Sequence, residues 1–243
     1  MTDVDKKFPV VEIFGPTIQG EGALAGKVTH FVRFGGCDFA CEWCDSDHAV
    51  LPQKVRLAPK LTADEIATRV TMLGEAPWVT LSGGNPALHD LTYLRDLLWK
   101  EDFNIAVETQ GSKWQQWLGS VELLTISPKP PSSGMHNGFF DEFMGLSTDN
   151  DWRILKVPVL DERDLDFADY IHQSFPNVDF YVSVVTLMGG LYGTFAGGIK
   201  DTNDTLLERY HKVVDMVLAR KSMQDVTVLP QLHALVWGHD RGH

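Results

Sequence analysis

Short apolar runs, each followed by a stretch with helical periodicity, constrain the fold of this 243-residue chain more than any other feature. The runs are rich in Val, Ile and Phe, and several are apolar without alternation, which is typical of parallel strands buried on both faces. We predict strands at Val10–Phe14, Thr29–Phe34, Trp78–Leu81, Asn104–Val107, Leu123–Ile126, Arg153–Val157, Phe180–Val185 and Val226–Leu229.

Helices are predicted between these strands. The best-defined pattern covers Leu61–Gly74, where Thr62 and Glu65 fit a capping box and Leu61 can pack on Ile66. Further helices are predicted at Ala87–Trp99, Lys113–Leu118, Glu162–Gln173 and Asp204–Ala219, the last after a Gly-rich loop at Met188–Gly198. This alternation indicates an α/β fold, either a barrel or an open sheet. Because about six parallel strands are too few for a closed eight-stranded barrel, we expect a partial (incomplete) β/α barrel, with residues 1–243 as one domain.

Polar, loop-forming clusters follow four successive predicted strands. Cys37 comes after the strand ending at Phe34, and Ser82-Gly83-Gly84-Asn85-Pro86 begins where the next strand ends. Residues 108–111 and 127–130 follow the two strands after that. Functional sites of α/β folds lie at the carboxyl ends of parallel strands. We therefore expect the four clusters to converge in space.

All three cysteines of the chain, Cys37, Cys41 and Cys44, are spaced C-x3-C-x2-C. An odd number so closely grouped does not indicate a disulfide framework. Thiolates are soft ligands that select zinc or iron–sulfur clusters, and His48 could complete a Cys3His zinc site. Alternatively, three thiolates hold a 4Fe-4S cluster with one iron open to a small molecule, since ferredoxin-type clusters use four cysteines. A third possibility is that the three thiols are isolated and bind no metal.

The cysteine motif, with Trp43 just before its last cysteine, resembles the signature of radical S-adenosylmethionine enzymes, whose fold is a partial or full β/α barrel. Further motifs make the chain similar to the 7-carboxy-7-deazaguanine synthases over residues 8–243. They are Phe14–Gly22, Arg33, Cys44-Asp45-Ser46, Ser127-Pro128-Lys129 and Gln231-Leu232-His233. The element Gln19-Gly20-Glu21-Gly22 points to this family within the superfamily.

This resemblance implies a lyase of the pathway to queuosine and other 7-deazapurines. The family reaction contracts 6-carboxy-5,6,7,8-tetrahydropterin to 7-carboxy-7-deazaguanine with loss of ammonia. The resemblance implies a 4Fe-4S cluster on the three cysteines, with S-adenosylmethionine chelated to its open iron. In the family, reductive cleavage of that cofactor yields a 5′-deoxyadenosyl radical, which takes the hydrogen at C6 of the pterin. No protein side chain is therefore expected to be the catalytic group.

The resemblance also implies a substrate site. Ile18, Gln19, Gly20 and Glu21 would read the pterin edge, because amide and carboxylate groups match its donors and acceptors. Arg33 would bind the carboxylate or a ring carbonyl through its fork of N–H groups. Ser82, His233 and His243 are the other residues expected against the substrate. Ser46 would ligate Mg²⁺ where relatives commonly have Thr, with Asp45 as its partner or as a helix cap.

A second set of residues is expected to bind S-adenosylmethionine. It consists of Trp43, Gly83, Gly84, Asn85, Glu108, Gln110, Ser127, Pro128, Lys129 and Ser183. The two glycines would let the backbone approach the methionyl group closely. Asn85 departs from the family pattern, which often has Glu at this position. Its contact with the ammonium group of S-adenosylmethionine would therefore lack a negative charge.

Charge and hydropathy exclude other classes of protein. The formal net charge of −12 argues against a nucleic-acid-binding protein, because phosphate binding needs a basic surface. No apolar run approaches about 18 residues, and the opening residues lack the apolar core of a signal peptide, so we expect a cytoplasmic chain away from membranes. As partners, the resemblance implies an electron donor such as a flavodoxin or ferredoxin, and a second copy of the chain in a homodimer.

Two other functions stay open from the sequence. An activating enzyme of the same superfamily, which plants a glycyl radical on a partner protein, would share the cluster but would not need Gln19 and Glu21. A zinc-stabilised binding protein would contain neither iron nor sulfide.

Overall fold

Nine strands of the chain form one open sheet in the computed structural model, which describes residues 5–136, 138, 140–146, 152–187, 200–238, 240 and 242. The strands are β1 Lys7–Ile18, β2 Val28–Phe34, β3 Lys60–Thr62, β4 Trp78–Gly83, β5 Asn104–Thr109, β6 Leu123–Ile126, β7 Arg153–Val159, β8 Asp179–Val184 and β9 Thr227–Leu229. Their order is β3-β1-β2-β4-β5-β6-β7-β8-β9. Strands β2 and β4 to β9 pair in parallel, whereas β1 is antiparallel to both of its neighbours.

Helices connect the parallel strands. They are α1 Asp47–Val50, α2 Pro52–Val55, α3 Ala63–Thr71, α4 Thr92–Lys100, α5 Phe140–Leu146, α6 Glu162–Ser174, α7 Asn203–Leu218 and α8 Leu232–Trp237. Short 3-10 turns lie at Gly22–Leu24, Pro86–Leu88, Gln116–Ser120, Pro131–Ser133 and Lys221–Met223. In the part of the chain that the structure describes, no helix is both long and apolar enough to span a membrane.

The expectation of an incomplete β/α barrel is confirmed, because the parallel strands run in sequence order and the sheet stays open. All eight predicted strands are present, and the capping box of Thr62 and Glu65 starts α3. The sequence pattern missed β3 and the short helices α1, α2, α5 and α8. The helix predicted at Lys113–Leu118 is instead a 3-10 turn, and the one at Ala87–Trp99 is divided into a 3-10 turn and α4. The predicted loop Met188–Gly198 lies outside the described residues.

The two faces of the sheet differ in character. Alternate residues such as Ile105, Val107 and Leu155 belong to a large core beneath helices α3, α4, α6 and α7. The opposite face begins with a small apolar layer that includes Ala106 and Ile154. Two residues further along β5, β7 and β8, that face changes from apolar to polar. The residues in this polar layer are Ser82, Glu108, Lys156 and Ser183, at or near the carboxyl ends of their strands.

Candidate active site

Three residues of the polar layer, Ser82, Glu108 and Lys156, border a cavity of about 420 Å³ at the carboxyl ends of the parallel strands. The predicted residues that line it are Ile18, Gln19, Gly20, Glu21, Arg33, Cys37, Cys41, Trp43, Cys44, Ser46, Ser82, Gly83, Gly84, Glu108, Gln110, Ser127, Lys129 and His233. The expected convergence of the four clusters is therefore confirmed.

Three predicted site residues that the structure describes do not line this cavity. Ser183 borders a smaller cavity of about 110 Å³ beside it, which it shares with Glu21 and Lys156. Asn85 and Pro128 are buried and line neither cavity. His243 lies outside the described residues.

The turn after β4 packs directly against the cysteine loop, residues 35–44. Gly84 donates its N–H to Phe34 O at 3.0 Å, and Asn85 donates to Gly36 O at 2.7 Å. A Cβ atom at Gly83 would lie 2.0 Å from Phe34 O, and one at Gly84 would lie 2.1 Å from Gly36 O. The two glycines are thus required by this backbone contact, a reason that the sequence did not disclose. Their expected contact with S-adenosylmethionine stays a prediction.

A second segment, residues 130–135, holds the other side of the cysteine loop. The Trp43 indole donates to Ser132 Oγ at 2.8 Å, and Glu42 N–H donates to Ser133 O at 3.0 Å. Ser132 Oγ in turn donates to the carboxylate of Asp164 at 2.6 Å. Asp164 is fully buried on α6, so this chain of contacts fixes the loop to the helical layer.

The three thiols lie in an environment that disfavours the free thiolate. Burial raises the pKa of Cys37 to about 11, and it also raises the pKa values of Cys41 and Cys44. Such thiols are poor nucleophiles, whereas a metal cluster would stabilise their thiolate forms. These properties suit thiols that ligate a metal cluster. They count against a role as free nucleophilic or disulfide-forming thiols.

His48 does not complete the Cys3His zinc set that the sequence left open. Among the described residues, no three His, Cys, Asp or Glu side chains are close enough to enclose one metal ion. His48, the proposed fourth zinc ligand, is instead 3.6 Å from Glu12, on the side chain that also binds Arg33.

Amide groups surround the first cysteine. Gln110 donates both to Asp38 Oδ1 and, at 3.6 Å, to Cys37 Sγ. Asn85 donates to the same Asp38 oxygen at 3.0 Å and to Ser112, while its carbonyl accepts from Ala87 N–H and Thr109. The polar atoms of Asn85 are therefore used within the protein. Its predicted contact with S-adenosylmethionine has no support in this geometry, whereas a role in holding Asp38 does.

A charged network borders the same cavity as the cysteine loop. Lys156 on β7 forms ion pairs with Glu21 and, at 3.6 Å, with Glu108 Oε1. Gln231 donates to the other oxygen of Glu21, and Gln19 donates to Glu108 Oε1 at 3.3 Å. The side chains of Glu21 and Lys156 are only 14% and 9% exposed. The network thus connects the predicted substrate-reading residues with one predicted cofactor ligand.

The charges of this network stabilise one another. Burial alone would raise the pKa of Glu21, but the ammonium group of Lys156, with a smaller effect of His233, lowers it to about 2. Burial would likewise lower the pKa of Lys156, but the carboxylates of Glu21 and Glu108 raise it. At neutral pH, Glu21 is therefore a carboxylate and Lys156 an ammonium ion.

Arg33 lies at the mouth of the cavity with Ser46. Its Nε donates to Glu12 Oε2 at 3.0 Å, and its Nη1 donates to Ser46 Oγ at 3.3 Å. The Ser46 hydroxyl donates to Asp45 Oδ1 at 2.9 Å, as expected if Asp45 is its partner. Because a hydroxyl has two lone pairs, one remains on Ser46 for a cation.

The segment after β1 packs against the start of α8, at Gly20 and His233. Gly20 O accepts from Leu232 N–H at 3.0 Å, and a Cβ atom at Gly20 would lie 2.2 Å from His233 Nδ1. Two buried hydroxyls nearby, Ser82 Oγ and Thr186 Oγ1, have no hydrogen-bond partner among the described residues. A bound ligand would satisfy them.

Sequence reasoning missed Lys156, Thr186, Glu12 and Gln231 as individual site residues. The available signal for Lys156 was its position inside the apolar run Arg153–Val157, since lysine is rarely buried unless it is paired. Glu12 and Thr186 carry no such signal, because polar residues in a half-exposed strand or after a strand are common.

Sequence comparison finds close relatives over nearly the whole chain. A 7-carboxy-7-deazaguanine synthase of Bacillus cereus is 41% identical over 252 residues, which covers 97% of this chain and 99% of the relative. That of Bacillus subtilis is 39% identical over 250 residues, with 98% and 99% covered. The Escherichia coli protein of the same name is 30% identical over 179 residues, with 67% and 77% covered. No protein-family model matches the chain.

Comparison with solved structures supports the fold. The crystal structure of QueE from Escherichia coli has a TM-score of 0.68 at 20% identity, covering 93% of this chain and 95% of that one. Streptococcus suis SuiB, bound to S-adenosylmethionine, has a TM-score of 0.51 at 13% identity, covering 83% of this chain and 50% of that one. At these identities the likeness concerns the fold alone.

Proposed function

Since the chain belongs to the 7-carboxy-7-deazaguanine synthase family, we propose that it converts 6-carboxy-5,6,7,8-tetrahydropterin to 7-carboxy-7-deazaguanine with loss of ammonia. It is a radical S-adenosylmethionine enzyme whose cofactors are a 4Fe-4S cluster and S-adenosylmethionine. The observation that carries the proposal is that one cavity holds the three cysteines together with the pterin-reading side chains Gln19, Glu21 and Arg33.

Cys37, Cys41 and Cys44 would hold the cluster. When bound, the cluster and S-adenosylmethionine supply a carbon radical that removes one hydrogen atom from the substrate. Glu108 and Ser82, which line the same cavity as the cysteines, would accept hydrogen bonds from ligand hydroxyl or amino groups, and the Ser82 hydroxyl has no partner among the described residues. Ser127, Lys129 and Gln110 also line the cavity.

The chain's own residues would bind and orient the pterin. Glu21, held as a carboxylate, accepts hydrogen bonds from the guanidine-like edge of the ring, and the backbone of Ile18 and Gly20 can contact the same edge. Arg33 attracts the substrate carboxylate. The surrounding aromatic groups, including Phe14 and Phe31, keep water away from the reacting carbon.

We also propose that Ser46 ligates a Mg²⁺ ion that bridges to the substrate. Mg²⁺ prefers oxygen ligands and retains several waters, so one hydroxyl with a neighbouring carboxylate is a suitable anchor. The free lone pair of Ser46 Oγ and the carboxylate of Asp45 support this assignment. Ser46→Ala should remove any stimulation of turnover by Mg²⁺, whereas Ser46→Thr should retain it.

The chain is further proposed to form a single domain in a cytoplasmic homodimer that receives electrons from a flavodoxin or ferredoxin. The continuous sheet supports one domain, and three free cysteines suit a reducing compartment.

An anaerobic turnover assay tests the central proposal. Protein reconstituted with iron and sulfide is incubated with the carboxytetrahydropterin, S-adenosylmethionine and dithionite, and the deazaguanine product is measured. We expect product from the wild type and none from Cys37→Ala or Cys41→Ala. Absence of product from iron-loaded wild type, or one zinc per chain without iron, would refute the proposal. Glu21→Gln should reduce pterin conversion more than uncoupled formation of deoxyadenosine.

A further inference from the structure

Lys156 stands out because its charge is buried inside a parallel strand and points into the cavity. It follows Ile154 on the same face of β7, two residues above the small apolar layer. An ammonium group in such a position needs partners, because an unpaired buried charge is costly. Its partners are the carboxylates of Glu21 and Glu108, and both border the cavity.

Glu21 keeps acceptor capacity while it is bound to Lys156. A carboxylate offers about four acceptor sites on its two oxygens. Lys156 uses one site on Oε2, and Gln231 uses one on Oε1. The remaining sites match the two adjacent N–H donors of the guanidine-like pterin edge. The ion pair therefore need not break when the substrate binds.

Removing the ammonium group would leave the carboxyl groups of Glu21, which is largely buried, and Glu108, which is partly exposed, close together without a cation between them. Two carboxyl groups that share a buried site favour protonation of one of them. A protonated Glu21 would lose acceptor capacity towards the pterin. The other ionisable groups around the pair are Asp45 just after the cysteine loop, Lys129 after β6 and His233 after β9. They come from three other elements, and none replaces the direct contact of Lys156.

We propose that Lys156 is a positioning residue for the pterin site, which holds Glu21 as a carboxylate facing the substrate and ties it to Glu108. The inference rests on the proposed function, because it assigns Glu21 to the pterin. It gives Lys156 a role in substrate affinity without direct contact between its ammonium group and the reacting carbon.

Equilibrium binding of 6-carboxy-5,6,7,8-tetrahydropterin tests the inference. Holoenzyme with an oxidised cluster and S-adenosylmethionine, but without reductant, is titrated anaerobically from about pH 6 to about pH 9, so that no turnover occurs. For Lys156→Met we expect affinity about 10- to 100-fold below wild type at the acidic end, the range for one or two lost charge-assisted hydrogen bonds. The difference in affinity between Lys156→Met and wild type should become smaller as the pH rises, because Glu21 of the variant then ionises without a neighbouring ammonium group.

Two further variants serve as controls. Lys156→Arg keeps the charge and should bind within about threefold of wild type at every pH. Lys212→Met, an exposed lysine on α7, should match wild type throughout. If Lys156→Met does not fold, as circular dichroism would show, Lys156→Gln provides the same pH comparison with a polar side chain.

The outcomes separate the inference from the function on which it rests. A wild type that binds no pterin overturns both. A wild type that binds, with a variant whose affinity loss is the same at every pH or is absent, overturns only the role of Lys156. If Lys156→Arg binds the pterin as weakly as Lys156→Met, the role of Lys156 is likewise overturned, because the positive charge would not be what supports substrate binding.

Discussion

Asp164 provides the sharpest test of how the cysteine loop is held. Its buried carboxylate accepts three hydrogen bonds, from Ser132 N–H at 2.9 Å, from Ser132 Oγ at 2.6 Å and from Leu160 N–H at 2.9 Å. Ser132 Oγ also accepts from the Trp43 indole beside Cys44. The perturbation is Asp164→Asn, which keeps the size and one acceptor oxygen but replaces the other oxygen with an amide NH₂.

The magnitude follows from these contacts. Ser132 N–H keeps its acceptor, but Leu160 N–H would face another donor and lose its partner. An unsatisfied buried donor costs about 1–3 kcal/mol. Loss of the negative charge in the first turn of α6 adds about 0.3–1 kcal/mol. We expect the free energy of unfolding to fall by about 1–4 kcal/mol in total.

The assay is urea unfolding of the cluster-free protein, followed by circular dichroism. Asp161→Asn is the matched control, since Asp161 is the N-cap of the same helix and Asn caps as well as Asp. We expect the control to lose no more than about 1 kcal/mol, since it gives up the same favourable charge at the helix N-terminus but leaves no buried donor unsatisfied. Iron retained per chain after reconstitution should also fall for Asp164→Asn, because Trp43 loses its fixed support.

Two results would refute this reasoning. If Asp164→Asn unfolds at the same urea concentration as Asp161→Asn, the three hydrogen bonds do not stabilise the fold as argued. If Asp164→Asn is destabilised but retains as much iron as wild type, the contact chain through Ser132 does not support the cysteine loop.

Other contacts give three further predictions. Gln110→Leu removes an amide donor to the Cys37 sulfur, so the reduction potential of the cluster should fall in a titration followed by electron paramagnetic resonance; an unchanged potential would contradict this. Gly84→Ala places Cβ 2.1 Å from Gly36 O, so we expect low iron content and a lower melting temperature, and wild-type values for both would count against the close packing. Burial would raise the pKa of Glu12, but His48 and Arg33 lower it to about 2. The ionised side chain therefore stabilises the folded protein above its unfolded pKa of about 4.3, and this contribution is lost as the pH falls towards 2. The stability deficit of Glu12→Gln in urea unfolding should therefore shrink between about pH 6 and about pH 3, and a constant deficit would be inconsistent with this shift.

Local patterns predicted much of the fold because they depend on neighbouring residues. The capping box of Thr62 and Glu65 spans one helical turn, and the apolar run Leu123–Ile126 indicates burial on both faces without reference to the rest of the chain. The short helix α8 and the three-residue strand β3 carry too few residues for such a signal. Their formation depends on the segments against which they pack.

The candidate site shows the same division. The spacing of Cys37, Cys41 and Cys44 predicted a cluster with an open iron, and the resemblance of Gln19-Gly20-Glu21 pointed to the family to which the chain belongs. The engagement of Asn85 with Asp38 was not predictable, because its side-chain partners come from two other segments of the chain, the cysteine loop and the end of β5. The requirement for glycine at positions 83 and 84 also depends on a contact with another strand end.

The sequence by itself thus determined the α/β class, the strand order along the chain and the thiols of the proposed cluster site. Only the tertiary structure decided which charges meet. Lys156 and Glu21 are separated by 135 positions, and their pairing follows from the order of strands across the sheet and from which face each side chain occupies. Periodicity shows that a residue alternates between faces, but it does not show which distant residue lies opposite. A buried charge needs that partner, so the physical reason for Lys156 becomes visible only when the sheet is assembled.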